Sequence, residues 1–149
     1  MSNSFGRAYD ELEVGKYYMH EPAKTITESD NNLFCLLTLN RHPVHSDVEY
    51  AEKSFHKQVL VAGTYVISLV VGMSVRDISG KAIANLMYSE IKHNAPVFIG
   101  DTLSAESKIL SKRVSNSNPK NGIVEICTKA YNQHRTLVLV LIRKILVPK

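Results

Sequence analysis

An α+β domain, with a mostly antiparallel sheet curled around a single apolar helix, is what this 149-residue sequence predicts. Three observations lead there. The segment "TYVISLVVGMSV" at 64–75 is apolar nearly all round, and such a helix belongs in the middle of a domain, covered by other elements. From residue 82 onward the apolar period falls to two, over four long segments bounded by turn residues. Helical segments come first and strands follow in series, an α+β order rather than an alternating one.

Size and composition fit that class. At 44% hydrophobic and 21% charged, the chain has an ordinary globular make-up and reads as one domain, 1–149. The net charge of +4 is spread along the sequence without a block of like charge, which argues against a nucleic-acid arm and suits an anionic small ligand. Cys35 and Cys127 lie far apart in apolar surroundings, outside any Cys/His cluster, and are expected to be buried reduced thiols. The start "MSNSFGRAYDELEVG" lacks the apolar core of a signal peptide, and no apolar run is long and uninterrupted enough to span a bilayer. A soluble cytoplasmic protein is expected.

The elements follow in order. Residues up to about Pro22 read as an extended lead-in. "TITESD" starts a helix, with Thr27 or Ser29 as cap and Glu28 and Asp30 at the positive end of its dipole. Leu33, Phe34, Leu36 and Leu37 mark its expected buried face, and it should end near Asn40, because the residue before Pro43 is driven out of the helical region. Ser46 or Asp47 can cap a second helix, "VEYAEKSF", with Tyr50 and Ala51 inward. The third segment, 64–75, is β-branched enough to permit a strand, but its length and small residues favour a helix. Strands are expected within 82–98, 101–114, 122–133 and 136–147, divided by Pro96, Gly100, "NSNPKNG" and "NQHR".

The chemistry concentrates in "LTLNRHPVHSD", residues 37–47. His42 and His45 lack a third ligand at useful spacing, since Asp47 is the better helix cap, so no metal site is expected. A general base needs less: one imidazole titrating near neutrality beside an apolar groove, with a polar partner to hold water. Asn40 and His45 flank a proline turn that can bring amide and imidazole toward one point. Gly63 stands where a loop enters the apolar helix, whose first amides point outward and attract negative charge. Such an amide can hold a thioester carbonyl oxygen; equally, Gly63 can serve only to let the chain enter a buried helix tightly.

These residues resemble the MaoC-like dehydratases, a family that includes the (R)-specific enoyl-CoA hydratases. Its signature runs from an aromatic through Gly-Asp-x-Asn-Pro-x-His and, after five residues, to Ala or Ser. Phe34, Pro43, His45 and Ala51 take the aromatic, proline, histidine and closing places. "FHKQVLVAG" is similar to the segment that ends in His-Gly before the central helix, and "APVFIGDTL" to a strand-turn-strand segment Pro-Val-x-x-Gly-Asp-x-Leu. The resemblance implies a hot-dog fold, an antiparallel sheet wrapped around a long central helix. It implies a hydratase in which His45 is the base and the Gly63 amide the oxyanion donor, with Arg41, His42, Pro43 and Thr64 beside the substrate.

Four positions depart from the pattern: Leu39 for the glycine, Asn40 for the aspartate, His42 for the asparagine and Ala62 for the histidine. A neutral amide orients water but does not trade protons, so His45 would perform both transfers. The chain also resembles the mesaconyl-CoA hydratase-like branch, which implies branched or dicarboxylic acyl-CoA substrates. Arg41 is then the cation available to a second carboxylate or a CoA phosphate. A hot-dog thioesterase is the competing enzyme, although "VAGTYVIS" lacks its usual carboxylate; a non-catalytic acyl-CoA-binding subunit is the competing non-enzyme. The hydratase reading implies no metal or redox cofactor, only the coenzyme A of the substrate. It implies a homodimer or higher homo-oligomer, because "TLVLVLIRKILV" would otherwise risk exposing an apolar edge or face.

Overall fold

Alternation writes itself directly into the sheet. In a computed structural model that describes residues 5–149, the strands β1 (Tyr17–Thr25), β2 (Ala84–His93), β3 (Thr102–Val114), β4 (Asn121–Tyr131) and β5 (Leu137–Pro148) form one antiparallel sheet in the order β1-β3-β4-β5-β2. Met1–Ser4, part of the polar N-terminal stretch, lie outside the described residues. Along β4 every second residue from Gly122 to Ala130 is buried, and β3 and β5 alternate likewise. Helices α1 (Glu28–Thr38), α2 (Val48–Lys53) and α3 (Gly63–Met73) precede β2, and the expected α+β class holds.

Six details differ from the sequence expectations. The lead-in is a true strand: β1 pairs with β3 at the sheet edge, where Pro22 and a bulge between His20 and Lys24 are tolerated because no outer strand needs their amides. Helix α1 buries Asn31 and Cys35 instead of its leucines, and Leu36 and Leu37 are 74% and 75% exposed. Helix α3 is covered on one face only: Val66 and Val70 pack on the sheet while Thr64, Ser68 and Gly72 face outward. Strand β5 lies inside the sheet, so the apolar edge belongs to β2, with Leu86, Met87, Tyr88 and Ile91 exposed. Tyr50 is exposed, leaving Ala51 as the buried residue of α2, and Cys127 is only partly buried. Both thiols are free, and burial pushes both up.

The interior has two apolar clusters with a polar belt between them. Val66 and Val70 pack with Leu103, Ala105, Ala130 and Leu141 at one end; Leu12, Ile78, Ile109, Ile126 and Ile145 close the other. The inward residues between those positions are Ser107, Thr128 and Arg143. His20 joins them, bonded to Ser107 Oγ at 2.7 Å and to Asp77 Oδ2 at 2.9 Å, while Arg143 donates to Ser74, Ser79 and Asn85. Ser74 caps the C-terminus of α3, so the buried guanidinium sits at the negative end of that dipole.

Candidate active site

The loop after α1 owes its course to local chemistry. Thr27 and Asp30 form a capping box at the start of α1, and Lys24 and Thr27 hold the Asp30 carboxyl at about 2. The helix stops at Leu39, which is left-handed with φ 58°, rather than at the restriction imposed before Pro43. Pro43–His45 then make a 3-10 turn, with Pro43 at its first position and His42 as its cap. Nδ1 of His42 accepts from the Val44 amide at 3.2 Å, and its ring stands edge-on to His45 and Tyr50. Asp47 caps α2 by accepting from the Tyr50 amide, as expected.

His45 is partly buried and oriented by main chain. Its Nδ1–H donates to the Leu60 carbonyl at 2.8 Å, and the Leu60 amide donates back to the Val44 carbonyl at 3.0 Å. A carbonyl only accepts, so the neutral ring carries its proton on Nδ1 and presents a lone pair at Nε2. Among the described residues Nε2 has no hydrogen-bond partner.

Leu60 leads to the helix start. Ala62, the residue before α3, has no side chain to cap it. Its own amide is taken by Asn31 Oδ1 at 2.9 Å, and the Tyr65 amide returns to the Ala62 carbonyl. Among the described residues the amides of Gly63 and Thr64 meet no protein acceptor. Gly63 lines a cavity of about 390 Å³ with Leu60, Val61, Val97, His56 and His93. A Cβ on Gly63 would stand 3.1 Å from the His93 ring, so glycine is used here for close approach.

Asn40 and Arg41 open on a second cavity, of about 360 Å³, shared with Asn32, Cys35 and Ser46. The Asn40 carboxamide accepts from the His42 amide through a long bond of 3.4 Å and makes none with His45. His45 lines neither cavity and meets the first through Leu60. Thr64 is exposed at the second position of α3.

Asn31 is the residue that the apolar pattern hides. It is 0% exposed, and it links the His45 carbonyl (2.9 Å from Nδ2) to the Ala62 amide. Its trace in the sequence is a polar residue four before Cys35, on the face turned away from Leu33 and Leu37.

Residues 11–131 match the family model described as MaoC like domain. The chain belongs to that family. Along its full length it is 34% identical to a mesaconyl-CoA hydratase from Cereibacter sphaeroides, of which it covers 43%. Over 97% of its length it is 33% identical to a β-methylmalyl-CoA dehydratase from Chloroflexus aurantiacus, of which it covers 41%. The chain thus spans about two fifths of these curated relatives. A Mycobacterium tuberculosis protein with a double hot-dog fold superposes with a TM-score of 0.89 over 96% of this chain and 44% of its own, at 20% identity. That likeness gives this MaoC-like chain its hot-dog architecture.

Proposed function

We propose that this chain is an acyl-CoA hydratase/dehydratase that adds water reversibly to a 2-enoyl-CoA thioester. The observation that carries the reading is the bond from His45 to the Leu60 carbonyl, three residues before Gly63: among the described residues it leaves Nε2 of His45 a free acceptor, and the Gly63 amide is unpaired.

In hydration, Nε2 of His45 takes a proton from water as the water oxygen bonds to the β-carbon. The π electrons move onto the thioester oxygen, which accepts from the Gly63 amide, with Thr64 next to it. The enolate then collapses and its α-carbon takes the proton back from the imidazolium on the same face. Water is consumed whole, and the base returns neutral. Asn40 holds the water; being a neutral amide, it leaves both proton transfers to His45. A base of this kind contributes about 10²–10⁴-fold, and one oxyanion donor about 3 kcal/mol.

The substrate class is a branched or dicarboxylic enoyl-CoA, in keeping with the mesaconyl-CoA and β-methylmalyl-CoA for which the two relatives are named. Arg41, on the cavity of Asn40, pairs with the second carboxylate or a CoA phosphate, while His42 and Pro43 shape the turn beside it. The chemistry asks only for a base and an oxyanion donor, so the reading needs no cofactor beyond the coenzyme A of the substrate. The exposed apolar edge of β2 favours a homodimer that covers it. Free thiols suit a cytoplasmic setting, and no helix of the described residues is long and apolar enough to cross a membrane.

The test follows enoyl-thioester absorbance with crotonyl-CoA and mesaconyl-CoA, using the native chain and His45→Ala. Bleaching by the native chain, reduced at least about a hundredfold by the substitution, supports the hydratase. Release of free thiol instead would make the chain a thioesterase. Binding without turnover would make it an acyl-CoA-binding module, with Asn40 as the reason.

A further inference from the structure

We infer that Asn31 is a positioning residue that sets the base and the oxyanion donors in register, its carboxamide tying the His45 main chain to the start of α3. The inference rests on the roles proposed above for His45 and Gly63.

The geometry is specific to a carboxamide. Nδ2 donates to the His45 carbonyl at 2.9 Å and Oδ1 accepts from the Ala62 amide at 2.9 Å. One partner only accepts and the other only donates, so a single orientation of the amide serves both. An ionised aspartate keeps the acceptor and turns a second oxygen against the His45 carbonyl; leucine keeps the shape and loses both bonds. The side chain is wholly buried, where water cannot replace either bond.

The linkage has two consequences for the site. It closes a set of four hydrogen bonds between the base turn and the helix start: the two of Asn31, His45 Nδ1–H to the Leu60 carbonyl, and the Leu60 amide to the Val44 carbonyl. It also occupies the Ala62 amide, so among the described residues the first unpaired donors are those of Gly63, which lines the cavity, and of Thr64 next to it. Without Asn31, the His45 main chain loses its hold, the ring no longer stays on the Leu60 carbonyl, and the freed Ala62 amide competes with Gly63 for the oxyanion. A residue that merely fills space in α1 would do neither.

The test uses the full chain, ¹⁵N-labelled, as native protein, His45→Ala, Asn31→Asp and Asn31→Leu. Ring-nitrogen shifts of His45 report its tautomer without substrate, and initial rates on crotonyl-CoA and mesaconyl-CoA report catalysis. The native ring should show the pure Nδ1–H tautomer, and both Asn31 variants a mixture. Their kcat should fall about tenfold or more, with KM within about twofold. In Asn31→Asp the kcat ratio to native should rise as pH falls toward the carboxyl range, where a protonated oxygen donates again to His45. A folded variant with native ring shifts and native kcat would overturn the inference, even if its melting temperature dropped. If the leucine variant does not fold, the aspartate variant, which keeps the Ala62 bond, decides. Should the native chain turn over neither thioester, the hydratase reading is what fails, and unchanged or altered ring shifts still decide the linkage.

Discussion

The Leu60 carbonyl accepts from Nδ1–H of His45 at 2.8 Å, and this contact fixes which imidazole nitrogen is available as a base. The carbonyl is itself well held. Leu60 bridges to Phe98, and the next residue, Val61, donates its amide to the Val97 carbonyl at 2.9 Å. The same short segment then becomes the first turn of α3. The proposed base and oxyanion donors therefore share one main-chain support, and small changes along 60–64 should register in catalysis before they register in stability.

Gly63→Ala tests the close approach. The backbone at Gly63 lies outside the left-handed region, so alanine is conformationally acceptable, and alanine favours a helix over glycine by up to about 1 kcal/mol. The added Cβ meets His93 Cε1 and Nε2 at 3.1 Å, and the exposed ring must yield into the cavity. We expect a melting temperature equal to or above native with a lower kcat/KM. His93→Ala in the same chain should recover much of that loss, as steady-state rates on the double variant would show.

Ala62→Ser tests the uncapped start of α3. A serine hydroxyl there can accept from the Thr64 amide, the Tyr65 amide being already bonded to the Ala62 carbonyl. A new cap stabilises a helix by about 1 kcal/mol, but it occupies an amide that the proposed oxyanion uses. Thermal melts should rise while kcat falls by several-fold, a trade between stability and activity. An unchanged kcat would leave Gly63 as the sole donor.

Sheet and helices were legible because their burial is periodic within one chain. β3, β4 and β5 alternate cleanly, and the caps Thr27 and Asp47 use side-chain chemistry that spacing reveals. The turn "HPVH" was legible for the same local reason, with Pro43 opening a 3-10 turn that presents His45. What failed were inferences about which face is covered. Leu33, Leu36 and Leu37 promised a buried stripe, yet α1 buries Asn31 because its polar atoms satisfy two main-chain groups that no leucine could. β1 reads only as an extended lead-in because edge strands tolerate proline and bulges, and the place of β5 inside the sheet depends on pairing across 40 and more residues.

Leu39→Gly addresses the one family position where this chain carries visible backbone strain. Leu39 adopts φ 58° with its side chain 73% exposed, so the leucine contributes little packing to offset a left-handed backbone. That conformation costs a non-glycine residue about 1–2 kcal/mol, and glycine gives back part of the gain through its freer unfolded chain. A net stabilisation of about 1 kcal/mol is expected in denaturant titrations, with the slope unchanged. The carbonyls of Cys35 and Leu36 keep their bonds to the residue 39 amide, so Asn40 should stay in place and rates should hold.

His20 gives the fold a pH dependence whose sign is set by burial. Its ring is fully enclosed, and the cost of burying a cation outweighs the pull of Asp77, holding its pKa below the ordinary 6.5; Arg143 acts in the same direction, and Glu106 weakly against it. The neutral ring also fits its neighbours, donating from Nδ1 to Asp77 and accepting at Nε2 from Ser107, which is in turn bonded to Thr128. The unfolded chain therefore binds a proton at His20 at higher pH than the folded one. The contribution is full above 6.5 and is lost as pH falls from there through the folded value. Melting temperatures should decline on acidification below that point, and His20→Gln, which can still reach Ser107 or Asp77, should flatten the decline while lowering stability at neutral pH. Parallel melts of both chains across the same buffers measure the difference in slope, and equal slopes would remove His20 as its source.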